Sequence, residues 1–361
     1  MTPYVAPMLV AHLAVLQSAG ARTASVIVFK RETALLRAYG LRDGRFESFG
    51  EGISAARKPV LWIDLHEPTA EEEKAVETLL GFEIPTRNEM AEIEDSSRLY
   101  VDAGSLVLTV VMIDGFAENR PSRTQVTFVL TRDHLVSVRY ADPLPFRSFA
   151  SKCLRQPEAH STADRIFASL VETIIARIAD VLEAVATDLK DVSNRLFVDD
   201  RVTRKTPQRA ELDLQAIIRR LGRKKITIAI LRESLLSISR LVPFVRANSS
   251  NWLAEETIVK LKQIDRDTRS LIEYEHQFAS DISYLQEATL GLISLDQNRI
   301  IKVFSIAAVL FLPPTLVGTI YGMNFETMPE LKWFFGYPFA IGLMIASAIV
   351  PYVWFRRRGW L

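Results

Sequence analysis

The sequence predicts a cytoplasmic α/β domain followed by a long-helix, coiled-coil-like stalk and two C-terminal transmembrane helices. Three patterns predict it: short alternating apolar runs mixed with acidic helical segments over residues 25–150, apolar positions at sustained helical spacing over 151–302, and two uncharged apolar stretches after 302. Each of those stretches is about as long as a helix needs to cross a ~30 Å hydrocarbon core.

Composition narrows the function classes. With 361 residues, 48% hydrophobic content and a net charge of +1, the chain can build a sizeable core, and its charge balance gives no reason to bind nucleic acid. The single cysteine, Cys153, excludes an intrachain disulfide framework and a cysteine-cluster zinc site; five scattered histidines argue against a His-rich metal site. No Walker-type glycine loop and no nucleophile–base–oxyanion constellation stands out, so the chain reads as a non-enzyme without an organic cofactor.

Residues 1–24 read as an N-terminal extension. Residues 5–19 have a signal-like apolar outline, but no Lys or Arg precedes them and His12 and Gln17 interrupt them. In the α/β domain, 25–150, strands are expected at 25–29, 60–65, 106–112, 124–130 and 134–139, and Thr69 followed by Glu71 and Glu72 opens a helix. The acids between Asp64 and Asp102 greatly outnumber Lys74, Arg87 and Arg98 and read as a solvated surface.

Residues 151–250 are expected to form an antiparallel helical hairpin. Ile166, Leu170, Ile174, Ile178, Leu182, Val185 and Leu189 make one stripe; a polar turn through Asp199, Asp200 and Pro207 reverses the chain; and Leu212, Ile217, Leu221, Ile228, Leu231 and Leu235 return it to about Val242. The basic run Arg219, Arg220, Arg223, Lys224 and Lys225 reads as a solvated face offsetting the acidic N-terminal domain. Residues 251–302 form the stalk, with Asn248, Ser249, Ser250 and Asn251 as its capping chemistry. Continuing from Trp252 to Tyr321 at ~1.5 Å per residue, the helix spans about 105 Å.

The first span, 303–320, and the second, 338–355, flank a loop at 321–337, and a basic tail follows at 356–361. Arg299 and Lys302 precede the first span and Arg356, Arg357 and Arg358 follow the second, whereas the loop carries Glu326 and Glu330. The positive-inside rule then makes both termini cytoplasmic and the loop external, in a multi-pass protein of the cell's inner membrane.

A two-span hairpin can be a plain anchor, and a membrane-anchored scaffold is the alternative of another class. At ~100° per residue, however, Glu287, Asn298, Ser305, Leu312 and Thr315 share one face. Polar groups in hydrocarbon need partners or water, so this stripe should face other copies or an aqueous path. One hairpin cannot enclose a pore, and conduction therefore requires a homo-oligomeric ring in the lipid bilayer. Asn324 would repeat at its external mouth beside Tyr321, Gly322 and Met323, and amide oxygens suit the hydration shell of a hard divalent cation such as magnesium.

Gln297-Asn298-Arg299, Phe311-Leu312-Pro313-Pro314-Thr315, Tyr321-Gly322-Met323-Asn324-Phe325, Met328-Pro329-Glu330-Leu331 and the ending Gly359-Trp360-Leu361 resemble the CorA magnesium channel family. Trp62-Ile63-Asp64-Leu65 and Glu92-Ile93-Glu94 extend the resemblance through the N-terminal domain. It implies a funnel-shaped homopentamer that admits Mg2+, with Co2+ and Ni2+ also permeant. It also implies that Leu312 and Phe304 form an apolar gate, and that Glu92, or Glu94 or Glu89 if the alignment slips, binds regulatory Mg2+ between subunits. Asp265 or Asp267 would complete that site. Magnesium is then both substrate and regulatory ligand, and a zinc transporter of the same superfamily is the nearer alternative.

Overall fold

The computed structural model describes residues 36–42, 45–48, 60–92, 94–198, 207–324, 328–329 and 333–359. The expected strand at 25–29, the turn through Asp199 and Asp200, and the loop residues Phe325, Glu326 and Glu330 lie outside them.

The N-terminal half is one seven-stranded sheet in the order β2-β1-β3-β7-β6-β5-β4. Its strands are β1 (Leu36–Arg42), β2 (Arg45–Ser48), β3 (Val60–His66), β4 (Leu99–Asp102), β5 (Ser105–Asp114), β6 (Ser122–Leu130) and β7 (Leu135–Arg139). All neighbours are antiparallel except β3 and β7, which pair parallel with Asp64 opposite Ser137. β5 is apolar without alternation because both faces of the sheet are covered. Leu106, Leu108 and Val110 pack with Phe128, Phe149 and Phe167 on one side, while Val107 joins Ile63, Val76 and Val129 on the other. β1, β2 and β4 were not expected from sequence; β1 carries Arg37 and Gly40 in its interior and β4 is only four residues long, so neither shows a clean apolar alternation.

Three short helices lie between β3 and β4, α1 (Ala70–Leu80), α2 (Arg87–Met90) and α3 (Asp95–Arg98), and α1 and α2 place Val76 and Met90 in the core of the second face. Several acids here are structural rather than merely solvated. The Thr69 amide donates to Glu72 Oε2 at 2.8 Å and the Thr86 amide to Glu89 Oε2 at 2.7 Å, each completing a capping box. Glu77 accepts from the Ile84 amide at 3.0 Å, and Glu73 from the Tyr140 hydroxyl at 3.1 Å.

Five helices follow: α4 (Leu144–Arg155), α5 (Ala163–Phe197), α6 (Pro207–Ser249), α7 (Glu255–Tyr321) and α8 (Gly336–Arg357). α5 and α7 run parallel, tied by Arg165–Glu256 at 2.8 Å, Lys260–Glu172 at 2.9 Å and, near the far end of α5, Phe197 stacked on Tyr284 at 6.1 Å. α6 runs antiparallel to both, and its stripe of Leu221, Leu231, Leu235 and Leu241 is buried in the same core as that of α5. The packing carries α6 through Pro243 to Ser249, beyond the expected end near Val242: Leu241, Val242 and Val245 are fully buried, and their burial outweighs the ~3 kcal/mol that an interior proline costs.

The expected cap of the stalk is also displaced. Asn248 and Ser249 belong to α6, and α7 begins after Ala254, which has no side-chain cap of its own. Asp164 at the start of α5 supplies the acceptor instead, taking the Ala254 amide at 3.0 Å. Opposing effects set its titration: burial pushes the carboxyl up, but hydrogen bonds, led by those of the Thr162 hydroxyl and the Ala254 amide, outweigh burial and hold it below the usual range.

Candidate membrane pore

α7 is a single helix of 67 residues running from the soluble core to the Tyr321 turn, uninterrupted at Pro313 and Pro314. It and α8 are long and apolar enough to cross a membrane, and the apolar window of α7 is 0% buried within the chain. α8 returns antiparallel beside it: Gly318 faces the Met344 sulfur near one end, and Tyr352 and Phe355 meet Ser305, Ile306 and Val309 near the other.

α8 covers only one side of α7. Ile306, Val309, Leu310, Pro313 and Gly318 are partly covered, whereas Glu287, Asn298, Phe304, Leu312 and Thr315 stay exposed, Phe304 at 73% and Leu312 at 66%. Intervals of eleven and seven residues link Glu287, Asn298, Ser305 and Leu312, and each interval returns a helix to within about 20° of its starting azimuth. The predicted stripe therefore lies on the face without an intrachain partner, with Ser305 at its boundary, exposed yet lining the groove against α8.

Local hydrogen bonding satisfies two hydroxyls of this span. The Thr315 hydroxyl donates to the Phe311 carbonyl at 2.7 Å and the Thr319 hydroxyl to the Thr315 carbonyl at 2.8 Å, so neither needs a distant acceptor. Thr319 is a polar residue of this span that the stripe analysis did not select.

The turn itself closes the helix. Gly322 donates to the Gly318 and Thr319 carbonyls at 3.0 and 3.2 Å, and Met323 to Ile320 at 3.3 Å. A Cβ on Gly322 would sit 3.1 Å from the Gly318 carbonyl oxygen, so the glycine is set by close backbone approach. Asn324 follows with its side chain exposed, Met323 is also exposed, and Tyr321 is half-buried.

The candidate regulatory residues are separate within one chain. Glu92 is exposed, and its backbone carbonyl accepts from Arg98 Nε at 2.8 Å. Asp265, 16% exposed, is paired with Arg269 one turn away at 2.9 Å. Asp267 is exposed and lines an open groove between α5 and α7 that also holds Glu172, Lys260 and Gln263. Among the described residues of one chain, no group of three or more His, Cys, Asp or Glu side chains could hold a metal ion.

The predicted charge compensation of α6 takes a different form. Arg220 and Lys224 bind Asp188 of α5 at 2.8 and 2.5 Å, rather than the acids between Asp64 and Asp102. The helix hairpin places Asp188 nearer than the sheet domain's acidic surface.

Comparison with known proteins agrees with this architecture. A family described as CorA-like Mg2+ transporter protein matches residues 57–357. The magnesium transport protein CorA of Pasteurella multocida (strain Pm70) is 33% identical over 327 residues, covering 91% of this chain and 100% of the relative. That of Escherichia coli (strain K12) is 33% identical over 331 residues, with the same coverages. Among solved structures, the CorA magnesium transporter from Methanocaldococcus jannaschii superposes with a TM-score of 0.69 at 16% identity, over 92% of this chain and 100% of that one. The full-length CmaX protein gives 0.64 at 18% identity, over 91% and 99%. At those identities the structural likeness concerns the fold, while the sequence match over most of both chains concerns descent. The chain belongs to the CorA-like Mg2+ transporter family.

Proposed function

We propose that this chain transports Mg2+ through a pore built from a ring of identical subunits, five in number, and has no enzymatic role. The observation that carries the reading is the exposed face of α7: Asn298, Leu312 and Thr315 lie on the side that α8 leaves uncovered, with Ser305 at its boundary, on a helix that ends at the Tyr321–Asn324 turn. A ring of such faces forms an aqueous path, with Asn324 amides at its mouth contacting hydrated Mg2+ and Leu312 and Phe304 narrowing it below. Co2+ and Ni2+ follow the same path. Relatives named as magnesium transport proteins support magnesium over zinc.

Arg299, Lys302 and Arg356–Arg358 at the inner ends support an inner-membrane orientation with both termini cytoplasmic. Inward movement of a divalent cation then gains roughly 4.6 kcal/mol per 100 mV of potential, so no nucleotide hydrolysis is required.

Regulation follows by linkage. Mg2+ held between Glu92 of one subunit and an α7 aspartate of the next favours a closed, symmetric ring, and rising internal Mg2+ shifts the population toward it. Asp267 suits this role better than Asp265, because Arg269 occupies the Asp265 carboxylate whereas Asp267 faces an open groove.

The test is Mg2+ uptake into proteoliposomes under an inside-negative potential, wild type beside Asn324→Ala, with zinc as competitor. Potential-dependent uptake that the substitution abolishes and zinc does not displace is expected. Equal uptake by both proteins would remove Asn324 from the pore, and no uptake by assembled wild type would leave an anchored scaffold.

A further inference from the structure

The basic run on α6 lines a cavity to which neither α7 nor α8 contributes a residue. Arg220, Arg223, Lys224 and Thr227 fall at i, i+3, i+4 and i+7 and so share one helix face. That face, together with Phe116 and Asn119 from the β5–β6 connection, lines a cavity of about 300 Å³, at the low end of the small-molecule range of roughly 300–1,000 Å³.

Its charges are unequal. Asp188 is already bound by Arg220 at 2.8 Å and Lys224 at 2.5 Å, with Asp191 a further 3.6 Å from Arg220. Arg223 lines the same cavity and has no acidic partner among the described residues. The Phe116 ring contacts two cations, Lys224 Nζ at 5.6 Å and, from outside the lining, Arg177 Cζ at 5.8 Å from its centroid. Three cations, Arg220, Arg223 and Lys224, thus line a space that holds one carboxylate, Asp188, and Lys224 has a side chain only 14% exposed. An anion entering this space meets donors that are already oriented, two of them forked guanidiniums suited to phosphate oxygens.

We infer that this cavity binds a polyphosphate, either inorganic diphosphate or the phosphate arm of a nucleotide. Donors spaced along a full turn of α6 suit a chain of phosphates better than a single one. The position argues for a soluble ligand over a lipid headgroup. Asp188 precedes Phe197 on α5 by nine residues; Phe197 stacks on Tyr284, and the apolar span begins nineteen residues later. With α5 and α7 parallel, the cavity is therefore about 40 Å along the helices from the membrane.

Binding of inorganic diphosphate and of ATP to the detergent-purified full chain, measured by calorimetry without divalent cations at ~0.15 M salt, tests the inference. Saturable binding of at least one of them is expected, weakened about tenfold or more in Arg223→Gln and retained in part by Arg223→Lys. Lys225→Gln, exposed on α6 outside the cavity, should bind like wild type. Diphosphate binding without ATP binding would identify the inorganic source, and tighter ATP binding the nucleotide. Absence of binding, equal affinity in wild type and Arg223→Gln, equal loss in Lys225→Gln, or binding only to vesicles bearing anionic lipid would each overturn it.

Discussion

Arg139 and Asp64 form a two-point ion pair inside the sheet, Nη2 to Oδ2 at 2.9 Å and Nε to Oδ1 at 3.1 Å, with side chains only 2% and 4% exposed. The pair spans the parallel junction of β3 and β7. The Ser137 hydroxyl donates to Asp64 at 2.8 Å and in turn accepts from Trp62 Nε1 at 2.9 Å. Arg139 Nη1 donates to the Ala141 carbonyl at 2.8 Å and to Asp142 at 2.7 Å. Asp64→Ala leaves the guanidinium buried without its main partner, and about 3–5 kcal/mol of stability should be lost. Thermal unfolding of the purified protein checks this; a midpoint unchanged from wild type would contradict it.

Asp142 gives the network an acid limb. Burial pushes its carboxyl up, but the charges of Arg139 and Arg147 outweigh burial and hold it below the usual range. A depressed folded-state value means that the stabilisation is fully present above the unfolded value near ~3.9 and is lost as pH falls through the folded one. Asp142→Asn should therefore destabilise the protein at neutral pH and flatten the decline of stability below about pH 4.

Glu275 predicts the opposite slope. It lies on α7 at 1% exposure, and its Oε2 has no hydrogen-bond partner among the described residues. Burial raises its carboxyl against the lowering charges of Arg232 and His276. Its folded form binds the proton more tightly, so stability is greatest below the unfolded value near ~4.3 and falls as pH rises through the folded value. Glu275→Gln should remove that fall, as read from unfolding midpoints across the pH range.

Cys153 should be chemically silent. It is fully buried against the sheet, and burial pushes its thiol up to about 12. Alkylation at pH 8 should be slow in the native protein and rapid in denaturant; equal rates would mean that α4 does not hold it against the sheet.

Gly322→Ala tests the turn apart from its amide. The added methyl would meet the Gly318 carbonyl oxygen at 3.1 Å, so the helix end must shift and carry Asn324 with it. Proteoliposome uptake should drop several-fold while assembly, read by size-exclusion chromatography, is retained. Uptake equal to wild type would show that the turn tolerates displacement.

The membrane hairpin, the long helices and the central strands were legible because each depends on local pattern. Two apolar runs, a stripe at helical spacing, and the apolar stretches of β3, β5, β6 and β7 need no knowledge of neighbours. The polar stripe of α7 was legible for the same reason: its members are fixed by helix periodicity. The edge strands β2 and β4 and the neighbouring β1 were not, since their residues become strand only by pairing, β2 with β1, β1 with β3 and β4 with β5.

By itself the sequence determined which segments must leave water and which face of the first span is polar, since hydropathy and periodicity are properties of consecutive residues. Only the tertiary structure decided what the charged residues do. Asp188 rather than the acidic N-terminal surface receives Arg220 and Lys224, and Asp164 rather than Asn248 or Ser249 receives the Ala254 amide. Charge pairing and capping depend on distances of a few ångströms between groups remote in sequence, and packing sets those distances.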